Sequence, residues 1–174
     1  FKFVATHATA GTAVNIANNA QNTRIEDCWV VGTTFGVYAE GSIDLTVRGC
    51  ILSATSNPLN AYESVGLVVE SCEATTDCSH GTSTKCGAYR LGGVVGVLRN
   101  SVAMVTANNA ATTTELMGLD MGVEALASGG MGAGLTIENV RLYVANLHAS
   151  STAAVYGIAP YTQSGQHWLS VGRF

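Results

Sequence analysis

Apolar and polar residues alternate with period two in short runs along this chain, and the runs end on a recurring phrase. Leu45 and Val47 alternate with Thr46 and Arg48, Gly49 breaks the alternation, and Cys50 and Leu52 resume it on the apolar side. Period-two alternation is the mark of a half-buried strand, so the phrase predicts strand, corner, strand. The same order reads Ile25-Glu26-Asp27-Cys28, Val47-Arg48-Gly49-Cys50 and Val69-Glu70-Ser71-Cys72. Weaker copies follow at Leu98-Arg99-Asn100-Ser101 and Ile137-Glu138-Asn139-Val140. The first three anchors are 22 residues apart, and the later gaps are 29 and 39. A fixed period in the twenties predicts a stacked architecture, because one such coil cannot bury its apolar side alone.

Stacking sets equivalent residues one strand spacing apart, roughly 4.8 Å. It predicts an inward ladder of Cys28, Cys50, Cys72, Ser101 and Val140, and an outward ladder of Glu26, Arg48, Glu70, Arg99 and Glu138. The outward charge changes sign at every step, which favours this register, whereas stacked like charges would oppose it. Exposed pairs contribute only about 0–1 kcal/mol each, so the ladder speaks for register more than for stability. The breaking position holds Asp27, Gly49, Ser71, Asn100 and Asn139, residue types that tolerate tight bends.

The run Gly36-Val37-Tyr38-Ala39-Glu40-Gly41-Ser42-Ile43-Asp44-Leu45-Thr46-Val47-Arg48-Gly49-Cys50 goes from Gly through an apolar strand and a polar turn to a second apolar strand. In this the chain resembles the right-handed parallel β-helix repeat proteins of the pectate-lyase-like superfamily, which include surface and tailspike-type β-helices. The resemblance spans residues 11 to 145, most clearly 11 to 106. Together with the repeat it implies an all-β fold, a right-handed parallel β-helix (solenoid) of about six or seven coils. The whole of residues 1–174 forms one domain on this reading, with loop inserts near 75–87 and 107–134. A strand is expected around Phe3 and Val4, a first clear coil from Thr12, and another strand within Leu116–Val123. Ala127–Gly132 reads as a turn, and Ala154–Ile158 with Trp168–Val171 as one further coil.

The fold hosts many functions. Among enzymes of that superfamily, catalysis lies on a solvent-facing groove with acidic residues that bind calcium or transfer protons. Glu40, Asp44 and Glu63, with Arg90 in the next coil, are the matching candidates here. A carboxylate pair of suitable separation would support glycoside hydrolysis, and a polysaccharide lyase is the other enzymatic option. The competing reading makes the same residues solvated turn charges. Tyr38, Tyr62 and Tyr89 precede their anchors by nine, seven and nine residues and are expected to form a ladder on a neighbouring sheet. Facing outward it would stack on sugar rings; facing inward it would be an inter-coil aromatic stack. The spacing leaves both open.

Composition narrows the partners. The 174 residues are 47% hydrophobic and 11% charged, with a net charge of −4. No basic patch exists to meet nucleic-acid phosphates. No apolar run approaches the ~20 residues of a membrane-spanning helix. Cys28, Cys50 and Cys72 read as small apolar fillers. Cys78 and Cys86, eight residues apart, predict a disulfide and hence an oxidising compartment. A metal site of Cys78, His80 and Cys86 lacks a fourth ligand. His7, His80, His148 and His167 share no spacing motif, and no phosphate-binding glycine loop is present, so neither metal nor cofactor is implied. The chain begins with Phe1 and shows no amphipathic capping helix, which favours a processed product or a segment of a larger body. The expected function is an extracellular or virion-surface structural or adhesive segment, partnered by itself or by flanking domains. The alternative is a polysaccharide-degrading enzyme or tailspike fragment, and a third reading is a passive glycan-binding surface.

Overall fold

The computed structural model describes residues 1–5, 11–78, 85–107, 115–121, 134–147 and 153–159. The chain visits three sheets in a fixed order, one strand in each per coil. The first coil is β1 (Lys2–Val4), β2 (Thr12–Ile16) and β3 (Arg24–Glu26); the second is β4 (Trp29–Val31), β5 (Phe35–Glu40) and β6 (Thr46–Arg48). The third is β7 (Ile51–Ala54), β8 (Asn57–Tyr62) and β9 (Val65–Glu70), and the fourth β10 (Glu73–Asp77), β11 (Lys85–Gly92) and β12 (Val95–Arg99). The fifth is β13 (Val102–Ala107), β14 (Glu115–Asp120) and β15 (Gly134–Glu138), followed by β16 (Arg141–Asn146) and β17 (Ala154–Ala159).

Every third strand is a neighbour. The first sheet runs β1-β4-β7-β10-β13-β16, the second β2-β5-β8-β11-β14-β17 and the third β3-β6-β9-β12-β15. All pairings between these strands are parallel. The molecule is a right-handed parallel β-helix, with the hand that parallel crossovers take. The core is the space the three sheets enclose. It is filled by fully buried rows such as Val30, Leu52 and Ala74 from the first sheet, Val37, Leu59 and Tyr89 from the second, and Val47, Val69 and Leu98 from the third.

The corners repeat as strictly as the strands. Asn19, Asn22 and Asp27 have positive φ; so, 22 residues on, do Gly41, Asp44 and Gly49; so again do Glu63, Gly66 and Ser71, all between 48° and 73°. Gly93, Asn100 and Asn139 continue the series in later coils. In the first two coils two left-handed residues turn the chain from the second sheet to the third and one from the third to the first, without a long loop, and Asn, Asp and Gly bear that conformation at least cost. The segment 75–87, expected to project entirely as a loop, does not. Thr75 to Asp77 pair in β10 with β13, and Cys86 and Gly87 pair in β11 with β14. Ser and Thr are compatible with strands when a neighbour supplies the ladder. The remainder of that segment (79–84), most of the second insert (108–114 and 122–133, including Ala127–Gly132) and Trp168–Val171 lie outside the described residues.

The inward ladder closes the corner between the third and first sheets. Cys28, Cys50, Cys72 and Ser101 are buried there. Cys50 Sγ lies 3.2 Å from the Arg48 carbonyl and 3.4 Å from that of Ile25 in the coil before. Ser101 repeats the pattern, donating to the Arg99 carbonyl at 2.8 Å and accepting from the Cys72 amide at 3.1 Å. A small side chain with one polar atom suits this position, because it fills the corner and satisfies backbone groups that the bend leaves short of partners.

Candidate functional site

The outer face of the second sheet gathers most of the polar and aromatic side chains with candidate chemistry. Strand register aligns Asn15, Tyr38, Asn60, Arg90, Asp120 and Ala159 in one row across six strands. Two residues along, Glu40, Tyr62 and Gly92 form a second row. Arg90 Nε stands 3.0 Å from Asp120 Oδ2, both side chains almost buried. The Arg90 guanidinium also lies over the Tyr62 ring, 5.4 Å from its centroid, a cation–π contact strengthened by desolvation. Tyr62 meets Tyr38 edge-on at 6.4 Å, and Tyr38 meets Phe35 at 5.5 Å. The Tyr38 hydroxyl donates to Glu40 at 2.9 Å. Burial and the Glu40 carboxylate raise its pKa, and Arg90 opposes them.

Asn60 forms the floor of this cluster. It is 1% exposed, and its Oδ1 accepts no hydrogen bond among the described residues. A buried amide oxygen without a donor is costly, and an enclosed water would relieve that cost.

The candidate residues fall into distinct settings. Asp44 and Glu63 are left-handed corner residues with φ 54° and 48°, so their backbones are committed to the bend. Glu40 ends β5 in register with Tyr62. The carboxylate on the Arg90 guanidinium is Asp120, a residue the sequence did not single out. Tyr89 is not part of an outward strip. It is 0% exposed, in register with Leu59, and its hydroxyl lies 3.1 Å from the Cys72 carbonyl and 3.0 Å from that of Val102. The reason is a register shift between β9 and β12 at Val95 and Gly96, where Gly66 has no counterpart. The fourth coil is one residue shorter from strand to anchor, and a one-residue slip moves a side chain to the opposite face. Position nine before the anchor is therefore outward at Tyr38 and Asn60 and inward at Tyr89. Asn60 was legible as the residue 22 after Tyr38; Asp120 follows Arg90 at 30, as Arg90 follows Asn60, and this step departs from the 22-residue period.

The outer ladder of the third sheet is paired. Arg48 lies 3.4 Å from Glu26 and 3.0 Å from Glu70, and Arg99 lies 2.9 Å from Glu70. Glu138 follows in register with Arg99. Arg99 first, and then Arg48, hold the Glu70 carboxyl below its ordinary range. Cys78 and Cys86 form a disulfide, so neither sulfur is a thiolate for a metal; His80, like His7, His148 and His167, lies outside the described residues. No cluster of potential metal ligands occurs among the described residues. Cys28, Cys50 and Cys72 are free thiols inside the core. The adjoining Cys50 thiol and burial push the Cys72 thiol up.

The first sheet differs from the other two. Its outer face carries a row Lys2, Trp29, Ile51, Glu73, Val102, Arg141, a row Val4, Val31, Ser53, Thr75, Met104, Tyr143, and on the longer strands a third row Asp77, Thr106, Ala145. Most of these are apolar or aromatic, and many are exposed.

Fold and surface define the chain as a parallel β-helix solenoid. No family model, no curated protein and no solved structure matches it. Among the described residues no helix is long and apolar enough to cross a membrane.

Proposed function

We propose that this chain is an extracellular or virion-surface structural segment, an elongated β-helix that serves as a scaffold for assembly or adhesion. Its resemblance to the pectate-lyase-like β-helix proteins supports that reading. The observation that carries it is the repetition of three left-handed residues at a 22-residue step. Asp44 and Glu63 are exposed corner residues, which fits solvated turn charges. Arg90 and Asp120 are held against one another, and the Cys78–Cys86 disulfide suits an oxidising compartment. Small-angle scattering is expected to show a rod, and a broad polysaccharide panel to yield no reducing ends. Release of reducing ends or unsaturated products, lost in Asp44→Asn or Glu63→Gln, would replace the scaffold with an enzyme.

A passive glycan-binding surface is the second reading, favoured by the Tyr38 and Tyr62 rings, which meet edge-on on the outer face of the second sheet. Two neighbouring rings suit the apolar face of a sugar. Tyr62→Ala should then reduce retention on a glycan array without moving the melting temperature. Equal retention by both proteins would remove the idea.

A further inference from the structure

We infer that Cys50 and Cys72 form a site of oxidative modification, two thiols placed to close a disulfide between the second and third coils. Arg48 pairs with Glu70 just before them and Ile51 with Glu73 just after, so the register sets the two cysteines opposite one another. Their Cα atoms are then one strand spacing apart, about 4.8 Å, inside the roughly 4.4–6.8 Å that a disulfide spans. The side chains also point alike. Cys50 Sγ lies against the carbonyls of Arg48 and Ile25, and Cys72 Sγ lies 3.3 Å from the Glu70 carbonyl and 3.4 Å from that of Val47. The two thiols share a hydrogen bond with one another. Cys28, one coil before, turns its thiol to the Glu26 carbonyl of its own coil at 3.0 Å. Ser101 takes the place one coil after, which shows that the corner does not itself require sulfur.

The step needs an oxidant, and a small disulfide supplies one. The hydrogen bond from Cys72 pulls the Cys50 thiol down, which makes Cys50 the attacking sulfur. Its thiolate displaces one thiolate from the small disulfide and is left as a mixed disulfide. Cys72 then gives up its proton, attacks the Cys50 sulfur and expels the second small thiolate. Two cysteine thiols and one small disulfide become one protein disulfide and two small thiols. Both sulfurs are buried, so the attack passes through a local opening of the corner. In-register side chains start about 4.8 Å apart, wider than the ~3.8 Å between the Cβ atoms of an unstrained bridge. The bond is therefore of the readily reduced kind, and the modification is reversible. The site lies in the core and does not depend on the scaffold reading.

The test is to incubate the folded full chain with glutathione disulfide, then denature it and count its thiols. The count should fall from three to one, with no glutathione retained. Cleavage at glutamates, which parts the two cysteines at Glu63 and Glu70, should recover their fragments joined. Reduced glutathione should restore the count to three. Cys28→Ser should fall from two thiols to none at the wild-type rate, and Cys72→Ser should stop at a mixed disulfide on Cys50. Melting followed by circular dichroism establishes that both variants are folded. A wild-type count that stays at three would overturn the inference, as would glutathione held on the wild type or a link between Cys28 and Cys50.

Discussion

At the scale of single residues, the fold rests on corners where the choice of side chain is narrow. Gly49 has φ +61°, and a Cβ there would come within 2.4 Å of Asp27 Oδ1 in the coil below. Two costs therefore coincide, the left-handed backbone and a collision with the Asp27 carboxylate. Gly49→Ala should destabilise by about 1–2 kcal/mol, at the scale of a left-handed non-glycine residue. Gly157 lies in a strand with nothing within 4 Å of an added Cβ, and Gly157→Ala should stay within about 0.5 kcal/mol of wild type. Urea midpoints of the two variants, measured together, check the contrast; equal shifts would refute it. Glu70 offers a second test. Its carboxyl is held down chiefly by Arg99, so its folded pKa lies below the unfolded value of about 4.3. The stability it contributes is complete above that value and is lost as pH falls through the folded pKa. Between about pH 6 and about pH 3, wild type should lose more stability than Glu70→Gln, and high salt should narrow the gap. Parallel pH profiles would show that the pairing contributes nothing. The corner residues were legible in the sequence, because Asp27, Gly49, Ser71, Asn100 and Asn139 interrupt an alternation that continues on both sides.

At the scale of strands, the second sheet shows where a sequence period stops being informative. The 22-residue step carries Tyr38 to Asn60, but Arg90 and Asp120 follow at steps of 30, since the fourth and fifth coils each have a longer connection between their first and second strands. Tyr89 was unreadable for a related reason. Its distance from Leu98 equals that of Tyr38 from Val47, yet the missing equivalent of Gly66 turns it inward. Register inside a sheet is set by hydrogen bonding between coils, which spacing within one coil does not report. The Arg90–Asp120 pair that results is nearly dry. Removing one partner from such a pair leaves a buried charge, so Asp120→Ala should cost about 3–5 kcal/mol. Exchanging both, as Arg90→Met with Asp120→Leu, should recover most of that loss. A double-mutant cycle on unfolding free energy decides it. Additive losses would mean that the two side chains act separately.

At the scale of the whole molecule, each coil touches only the coils before and after it, so stability is a sum of local terms and nearest-neighbour contacts. A disturbance in one coil should therefore be felt nearby and fade along the stack. The Cys78–Cys86 disulfide is a suitable lever, because it joins β10 to β11 in the fourth coil and no other cross-link exists among the described residues. Closing an eight-residue loop is worth about 2.5 kcal/mol in the chain-entropy account. The denatured chain should titrate three thiols before reduction, matching Cys28, Cys50 and Cys72, and five after it. In the Cys78→Ser, Cys86→Ser double variant, amide hydrogen exchange should accelerate in β8, β10, β11 and β14. It should stay unchanged in β2 and β3, two or more coils away. Uniform acceleration along the chain would mean that the stack unfolds as one cooperative body. The nearest-neighbour description, and with it the idea that coils fail singly, would then have to be given up.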